Sequence, residues 1–334
     1  MATPERNLQI HLAARPRGAV TRDDFRLVEA ALPEVGPGQF LVRNTYLSLD
    51  PYMRGRMDDA RSYAEPQKLG EVMLGATAGE VVESQHPDFQ VGDQVLGQFG
   101  WQLYGRSDGR GVRKVDAGAI PLSAYLGVLG MTGVTAWYGV TKICAAKPGE
   151  TLVVSAASGA VGSVVGQLAK LRGCHVVGIA GGPAKCDYVT GELGFDACVD
   201  YKRGQVAADL AAAVQKGIDC LFENVGGVGF DAAVGLMNAF GRIALCGLIA
   251  DYGGETTPLT NVRSLLTSRL KLEGFIIAEH LEVWPAALAE LAGHFVRGQL
   301  KHRESIAQGL TSAPEAFIGL LAGKNFGKQL VKLA

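Results

Sequence analysis

Thr151-Leu-Val-Val-Ser-Ala156 runs directly into Ala157-Ser-Gly-Ala-Val-Gly162, and this stretch decides the fold. The first half is a continuous apolar run of the kind that forms a strand buried on both faces. The second half is a glycine-containing turn. Ser163 to Arg172 then carries Val164, Val165, Leu168, Ala169 and Leu171 at helical spacing, and His175-Val-Val-Gly-Ile-Ala180 reads as the next strand. Strand, turn, helix and strand in this order make the setting of a dinucleotide fingerprint. Gly159 lets the backbone approach a pyrophosphate, and Gly162 lets the helix pack tightly on the strand. The amides of Gly159, Ala160, Val161 and Gly162 open a helix, whose positive end attracts an anion. Ala157 stands where the usual first glycine would be, so a glycine-rich turn without a ligand is the competing reading.

Outward from this unit, strand-like runs recur at Ala197–Asp200, Asp219–Phe222, Arg242–Cys246 and Leu270–Phe275. Six strands with helical connections predict a doubly wound parallel sheet, an α/β Rossmann fold. Pro285–Val296 reads as an amphipathic helix, and Ser312 with Glu315 as a capping box opening another. Lys328-Gln-Leu-Val-Lys332 closes the chain as a strand. Before about Ser123 the texture differs: short apolar segments such as Gln39-Phe-Leu-Val-Arg43, Ala78-Gly-Glu-Val-Val82 and Asp93-Gln-Val-Leu96 alternate with turn residues. The expected organisation is a β-rich domain over residues 1–123, a Rossmann domain over 124–297, and a return of 298–334 to the first domain.

The end of the second strand selects the dinucleotide. An NAD site places an Asp or Glu there to bind the ribose hydroxyls. This chain has Ala180-Gly-Gly-Pro-Ala-Lys185: small residues, then a cation. Such a pocket accepts a 2′-phosphate, so the expected cofactor is NADP(H). Lys185 as an ordinary solvated helix residue is the alternative.

Composition removes other classes of function. With 32 basic and 33 acidic residues the net charge is −1, which gives no electrostatic drive toward nucleic acid. Met1 to Ile10 is polar, without the apolar core of a signal peptide, and no apolar stretch is long enough for a membrane span. Cys144, Cys174, Cys186, Cys198, Cys220 and Cys246 are scattered, without a CxxC pair. They read as reduced thiols of a cytoplasmic protein without a structural zinc.

With these residues in view, the chain resembles the zinc-independent medium-chain dehydrogenase/reductases. More narrowly, it is similar to the prostaglandin reductase (leukotriene B4 dehydrogenase), 2-alkenal reductase and curcumin-reductase-like branch. The carriers are Leu47-Ser-Leu-Asp-Pro-Tyr-Met-Arg54, Gly130-Met-Thr-Gly-Val-Thr-Ala136, Ala156 to Lys170, Glu223-Asn-Val-Gly-Gly227, Gly241-Arg-Ile-Ala-Leu-Cys-Gly247 and Gly323-Lys-Asn-Phe-Gly-Lys328. The resemblance implies a GroES-like first domain and a homodimer. It also implies that Gly159 to Gly162 hold the pyrophosphate, and that Lys185 and Tyr201 hold the 2′-phosphate. Asn224 would lie near the ribose, and Asn325 would reach the cofactor from the C-terminal segment. Cys246, Gly247 and the residues to Tyr252, with the strand Phe275-Ile-Ile277, would frame the nicotinamide. Without the resemblance, Asn325 reads equally as a helix C-cap. Where some members carry a tyrosine beside the substrate, this chain has Ser264-Leu-Leu-Thr-Ser-Arg269.

Zinc alcohol dehydrogenases need Cys and His ligands in the first domain. Before Val140 this chain has His11 and His86 and no cysteine, and Leu74-Gly-Ala-Thr-Ala-Gly79 replaces a Gly-His-Glu ligand motif. No catalytic metal is expected. Cys246 ends an apolar strand with no histidine near it in sequence, and reads as a buried structural thiol rather than a nucleophile. Hydride addition to the electron-poor C=C of an α,β-unsaturated aldehyde or ketone suits such a site better than alcohol oxidation does. Tyr52 is the first candidate to donate a hydrogen bond to the developing enolate, and Tyr252 the second. Either equally reads as a packed aromatic. Quinone reduction by the same chemistry, or NADPH binding without catalysis, are the competing functions.

Overall fold

The computed structural model describes residues 6–118, 120–254 and 257–333; residues 1–5 of the polar start lie outside the described residues. The chain divides into two units. Residues 1–126, 304–325 and 329–334 form one, and 127–303 with 326–328 form the other.

The first unit is β-rich. Strands β1 (Arg6–Leu12) and β2 (Phe25–Ala31) pair antiparallel. They are followed by β3 (Phe40–Ser48), the short helix α1 (Tyr52–Arg56), β4 (Thr77–Ser84), β5 (Gln94–Gly97), β6 (Tyr104–Ser107) and β7 (Arg113–Lys114). Inward-facing side chains such as Leu47, Met53, Met73 and Trp101 are fully buried. Trp101 stacks on Phe25 at 5.4 Å between ring centroids.

The second unit alternates helix and strand: α2 (Met131–Tyr138), β8 (Thr151–Ser155), α3 (Gly162–Leu171), β9 (His175–Ala180), α4 (Pro183–Asp187), β10 (Ala197–Asp200) and α5 (Val206–Ala213). Then come β11 (Ile218–Glu223), α6 (Gly227–Gly235), β12 (Met237–Leu245), α7 (Arg263–Thr267), β13 (Lys271–Gly274) and α8 (Trp284–Val296). The six strands form one parallel sheet in the order β10-β9-β8-β11-β12-β13. Every residue of β8 is buried, as expected for a central strand covered by helices on both faces. The expectation of an α/β doubly wound sheet holds, and with it the β-rich companion.

The chain then returns to the first unit. Strands β14 (Glu304–Gln308) and β15 (Lys328–Lys332) flank α9 (Ala313–Leu321), and the larger sheet runs β14-β15-β3-β4-β5-β7, with β6 also on β3. The capping box expected at Ser312 does not form. A 3-10 turn over Leu310–Ser312 leads into α9, so Ser312 is already in helical geometry, and its hydroxyl donates to the Gly309 carbonyl at 2.7 Å. Glu315 pairs instead with Arg22.

Candidate dinucleotide and active site

The order of the parallel strands locates the site. From β8 the chain moves to β9 and β10 on one side, then crosses to β11 on the other. The loops leaving the carboxyl ends of β8 and β11 therefore diverge, and open sheets bind ligands in the crevice made there. The loop after β8 is the glycine turn. A Cβ on Gly162 would lie 2.3 Å from the Ala156 carbonyl oxygen, so glycine is what lets α3 start against the strand end. The positive end of the α3 dipole thus opens at the switch point. The turn is also pinned from far along the chain: the Gly327 amide donates to the Ser158 carbonyl at 2.8 Å, and Gly159 forms a parallel bridge with Gly327.

Beside this turn, β9 is followed by small residues and then a cation. The strand ends at Ala180 and is followed by Gly181-Gly182, and a Cβ on Gly181 would meet the ring of Tyr201 at 2.7 Å. Glycine there lets the Tyr201 ring lie over the strand end. The nearby acid, Asp200, turns its Oδ1 to backbone, accepting from Gly182 N at 2.7 Å and Lys202 N at 3.0 Å. Lys185, on α4, holds its Nζ 5.4 Å from the centroid of the Phe326 ring. Burial, and then the like charge of Lys202, push its pKa below the usual lysine value. A desolvated cation of this kind gains by meeting an anion.

The loops after β11 and β12 are stitched together. Cys246 N donates to the Glu223 carbonyl at 2.8 Å and Ala250 N to the Val225 carbonyl at 2.9 Å. Glu223 is fully buried, and its Oε1 accepts from Ser155 Oγ at 2.7 Å, Val225 N at 2.6 Å and Gly226 N at 2.8 Å. Its Oε2 has no hydrogen-bond partner among the described residues. Burial raises its pKa, against the pull of those donors. The Asn224 side chain is aimed back at β8, its Nδ2 donating to the Ser155 carbonyl at 2.9 Å. The thiol of Cys246 is pushed up to about 12 by burial, so it is no thiolate nucleophile near neutrality.

Phe275 and Ile277 are both buried, but they are not a strand as expected. The ladder ends at Gly274 opposite Leu245, where β12 stops, and Ile277 opens a 3-10 turn. Phe275 packs against Tyr138 at 5.3 Å and edge-on to Phe222 at 6.2 Å. Tyr252, half-buried, lies in the 3-10 turn Ile249–Gly253.

Two candidates belong to the first unit. Tyr52 opens α1, and burial, with Asp50 and Tyr63 nearby, raises its pKa far above the ordinary phenol value. It therefore keeps its proton. Asn325 is not the C-cap of α9. That helix is closed by Gly323 in the left-handed region, with Lys324 N donating to the Gly319 carbonyl at 2.9 Å. Asn325 instead lines an open cavity of about 290 Å³ with Ser305, Lys324 and Gln329.

Within the second unit, the turn, the Gly181–Tyr201–Lys185 group and the loops bearing Asn224 and Gly247 all leave the carboxyl ends of the parallel strands. A dinucleotide with a 2′-phosphate fits them: an open helix end for the pyrophosphate, a strand end without an acid, and a desolvated cation beside it. Ser155 and Glu223 support these loops although no motif marks a role for them. Their signal was a hydroxyl and a carboxylate closing two apolar strand runs.

Comparison with known proteins bears on the fold and the cofactor. Residues 8–115 match a family described as the N-terminal domain of oxidoreductase, and residues 160–293 match one described as zinc-binding dehydrogenase. An NADPH-dependent curcumin reductase of Escherichia coli (strain K12) is 47% identical, covering 99% of this chain and 98% of its own. A 2-alkenal reductase (NADP(+)-dependent) of Nicotiana tabacum is 40% identical over 100% of this chain and 99% of its own. The crystal structure of CurA in complex with NADPH, from Vibrio vulnificus, superposes with a TM-score of 0.94 at 46% identity, covering 98% of this chain and 99% of that one.

Proposed function

The chain belongs to the zinc-independent medium-chain dehydrogenase/reductases, in the branch of curcumin, 2-alkenal and prostaglandin reductases, and from that premise we propose that it reduces the C=C bond of α,β-unsaturated aldehydes or ketones. It is an NADP-dependent oxidoreductase of the alkenal/enone reductase type, with NADPH as its cofactor. The observation that carries the proposal is the switch point, where the glycine turn, Asn224 and the Cys246–Gly247 loop leave strand ends as a dinucleotide site requires.

NADPH, when bound, supplies a hydride. Gly159, Ala160, Val161 and Gly162 hold its pyrophosphate through backbone amides, and Lys185 and Tyr201 hold the 2′-phosphate. Asn224 and Asn325 bind further along the cofactor. Cys246, Gly247, Tyr252, Phe275 and Ile277 line the nicotinamide end. Tyr52 donates its phenolic hydrogen to the carbonyl oxygen, with Tyr252 as the second donor. The bond from Tyr52 strengthens as charge collects on the oxygen of the enolate. The α-carbon then takes a proton from water. The working form is a cytoplasmic homodimer. Among the described residues no helix is long and apolar enough to cross a membrane.

The test follows NADPH absorbance over a panel of 2-alkenals, enones and quinones, with Tyr52→Phe alongside. Enals and enones should turn over faster than quinones, and the variant should lose about 100- to 1,000-fold in kcat while still binding NADPH. Preference for quinones would transfer the protein to quinone reduction, and no turnover of any acceptor would make it a binding protein. Unchanged kcat in Tyr52→Phe would return Tyr52 to packing.

A further inference from the structure

We propose that Arg303 is a second cation for the 2′-phosphate of NADPH, held beside Lys185 by contact with the same Phe326 ring, and so helps set the choice of NADPH over NADH. This rests on the cofactor reading above and extends it to a residue that neither the glycine motif nor the resemblance picked out.

Phe326 collects two cations. Its centroid is 5.4 Å from Lys185 Nζ and 4.6 Å from Arg303 Cζ. Arg303 also lies 5.4 Å from the centroid of Tyr188, whose ring meets Phe326 edge-on at 6.0 Å. The guanidinium is therefore held between two aromatic rings. Its backbone is fixed as well. Lys328 N donates to the Arg303 carbonyl at 2.9 Å, while the neighbouring Gly327 donates to Ser158 in the glycine turn at 2.8 Å. Gly327 has φ +61°, and a Cβ there would fall 1.8 Å from the Arg303 oxygen. The turn, the 326–328 segment and Arg303 thus form one connected frame.

An aromatic face attracts a cation without neutralising it. Lys185 already feels the like charge of Lys202, and no carboxylate pairs with Arg303 among the described residues. A phosphate monoester, carrying roughly −1.5 to −2 near neutrality, is the ligand that relieves such a cluster. The pyrophosphate has the backbone amides and helix end of the Gly159–Gly162 turn for its charge. The anion left for the Lys185 side is the 2′-phosphate, and Arg303 shares that lysine's ring. A guanidinium offers several fixed donors to phosphate oxygens, so charge and geometry both suit the role.

The experiment measures dissociation constants for NADPH, NADH and 2′,5′-ADP on wild type, Arg303→Gln, Arg303→Lys and Lys185→Ala, at low and high salt, with melting curves to verify folding. Arg303→Gln should weaken NADPH and 2′,5′-ADP by about 3- to 30-fold and flatten their salt dependence. NADH should change less than twofold, and Arg303→Lys should retain most of the NADPH affinity. Equal weakening of NADPH and NADH would mean that Arg303 only braces the 326–328 segment, and no change in any ligand would leave it a solvated stacking residue. Either result overturns the inference. So does an Arg303→Lys variant as weak as Arg303→Gln, since charge would then not be what matters. Failure of the underlying cofactor reading looks different: wild type would not prefer NADPH, and Lys185→Ala would leave the preference unaltered. If Arg303→Gln fails to fold, the Arg303→Lys comparison and the salt dependence of the wild type decide the matter.

Discussion

Lys185 gains from an anion because it is partly desolvated and lies near another cation. A charge-assisted bond to phosphate is worth about 1.5–3 kcal/mol, so Lys185→Ala should weaken NADPH binding roughly ten- to hundredfold. NADH, with nothing for the lysine to hold, should bind as before; paired titrations on wild type and variant decide this. The sign with pH follows from the same shift. NADPH affinity falls as pH rises through the lowered pKa of Lys185, while NADH affinity does not. It weakens again in acid, below about pH 6, as the phosphate takes up its second proton. Lys185→Arg, which keeps its charge, should flatten the alkaline limb. The small residues before Lys185 were legible because the missing acid is a one-position signal. Arg303 was not, because its meaning depends on Phe326 approaching from 23 positions further on, a closeness that no local pattern encodes.

At the level of elements, Glu223 ties two loops to the end of β8. Glu223→Ala leaves Ser155 Oγ, Val225 N and Gly226 N without their acceptor in a buried place. The expected loss is about 2–5 kcal/mol, read as a lower midpoint in urea with an unchanged slope. Because burial raises its folded pKa, the contribution of the neutral acid is full below the ordinary carboxyl range and is lost as pH rises through the raised value. Glu223→Gln, always neutral, should remove that slope; an equally steep profile in the variant would assign it to another group. The parallel strands were readable because a strand buried on both faces is an apolar run, as in Thr151–Ser155. Their ends were less so. The run to Ile277 looks continuous in sequence, yet its ladder stops where its neighbour β12 stops. Ser312 and Glu315 have the spacing of a cap, but the preceding turn had already placed Ser312 in helical geometry.

On the scale of the whole molecule, β13 is one of the two outer strands of the six-stranded sheet, and Lys271, Leu272 and Gly274 along it are exposed. An open edge of this kind can pair with a second copy. Light scattering on the purified protein should give twice 35.1 kDa, and a proline at Leu272 should shift it toward the single-chain mass. A wild type already at the single-chain mass would remove the homodimer from the proposal. The tie between Gly327 and the Ser158 carbonyl also bears on how the protein is made. The turn that begins the cofactor site leaves the ribosome well before the residue that closes it. At about 5–20 residues per second, the Ser158 carbonyl waits roughly 10–30 s for its partner. A ribosome stalled short of Gly327 therefore presents a parallel sheet whose nucleotide end is still unfastened, and nascent chains should become able to retain NADPH only once Gly327 has emerged.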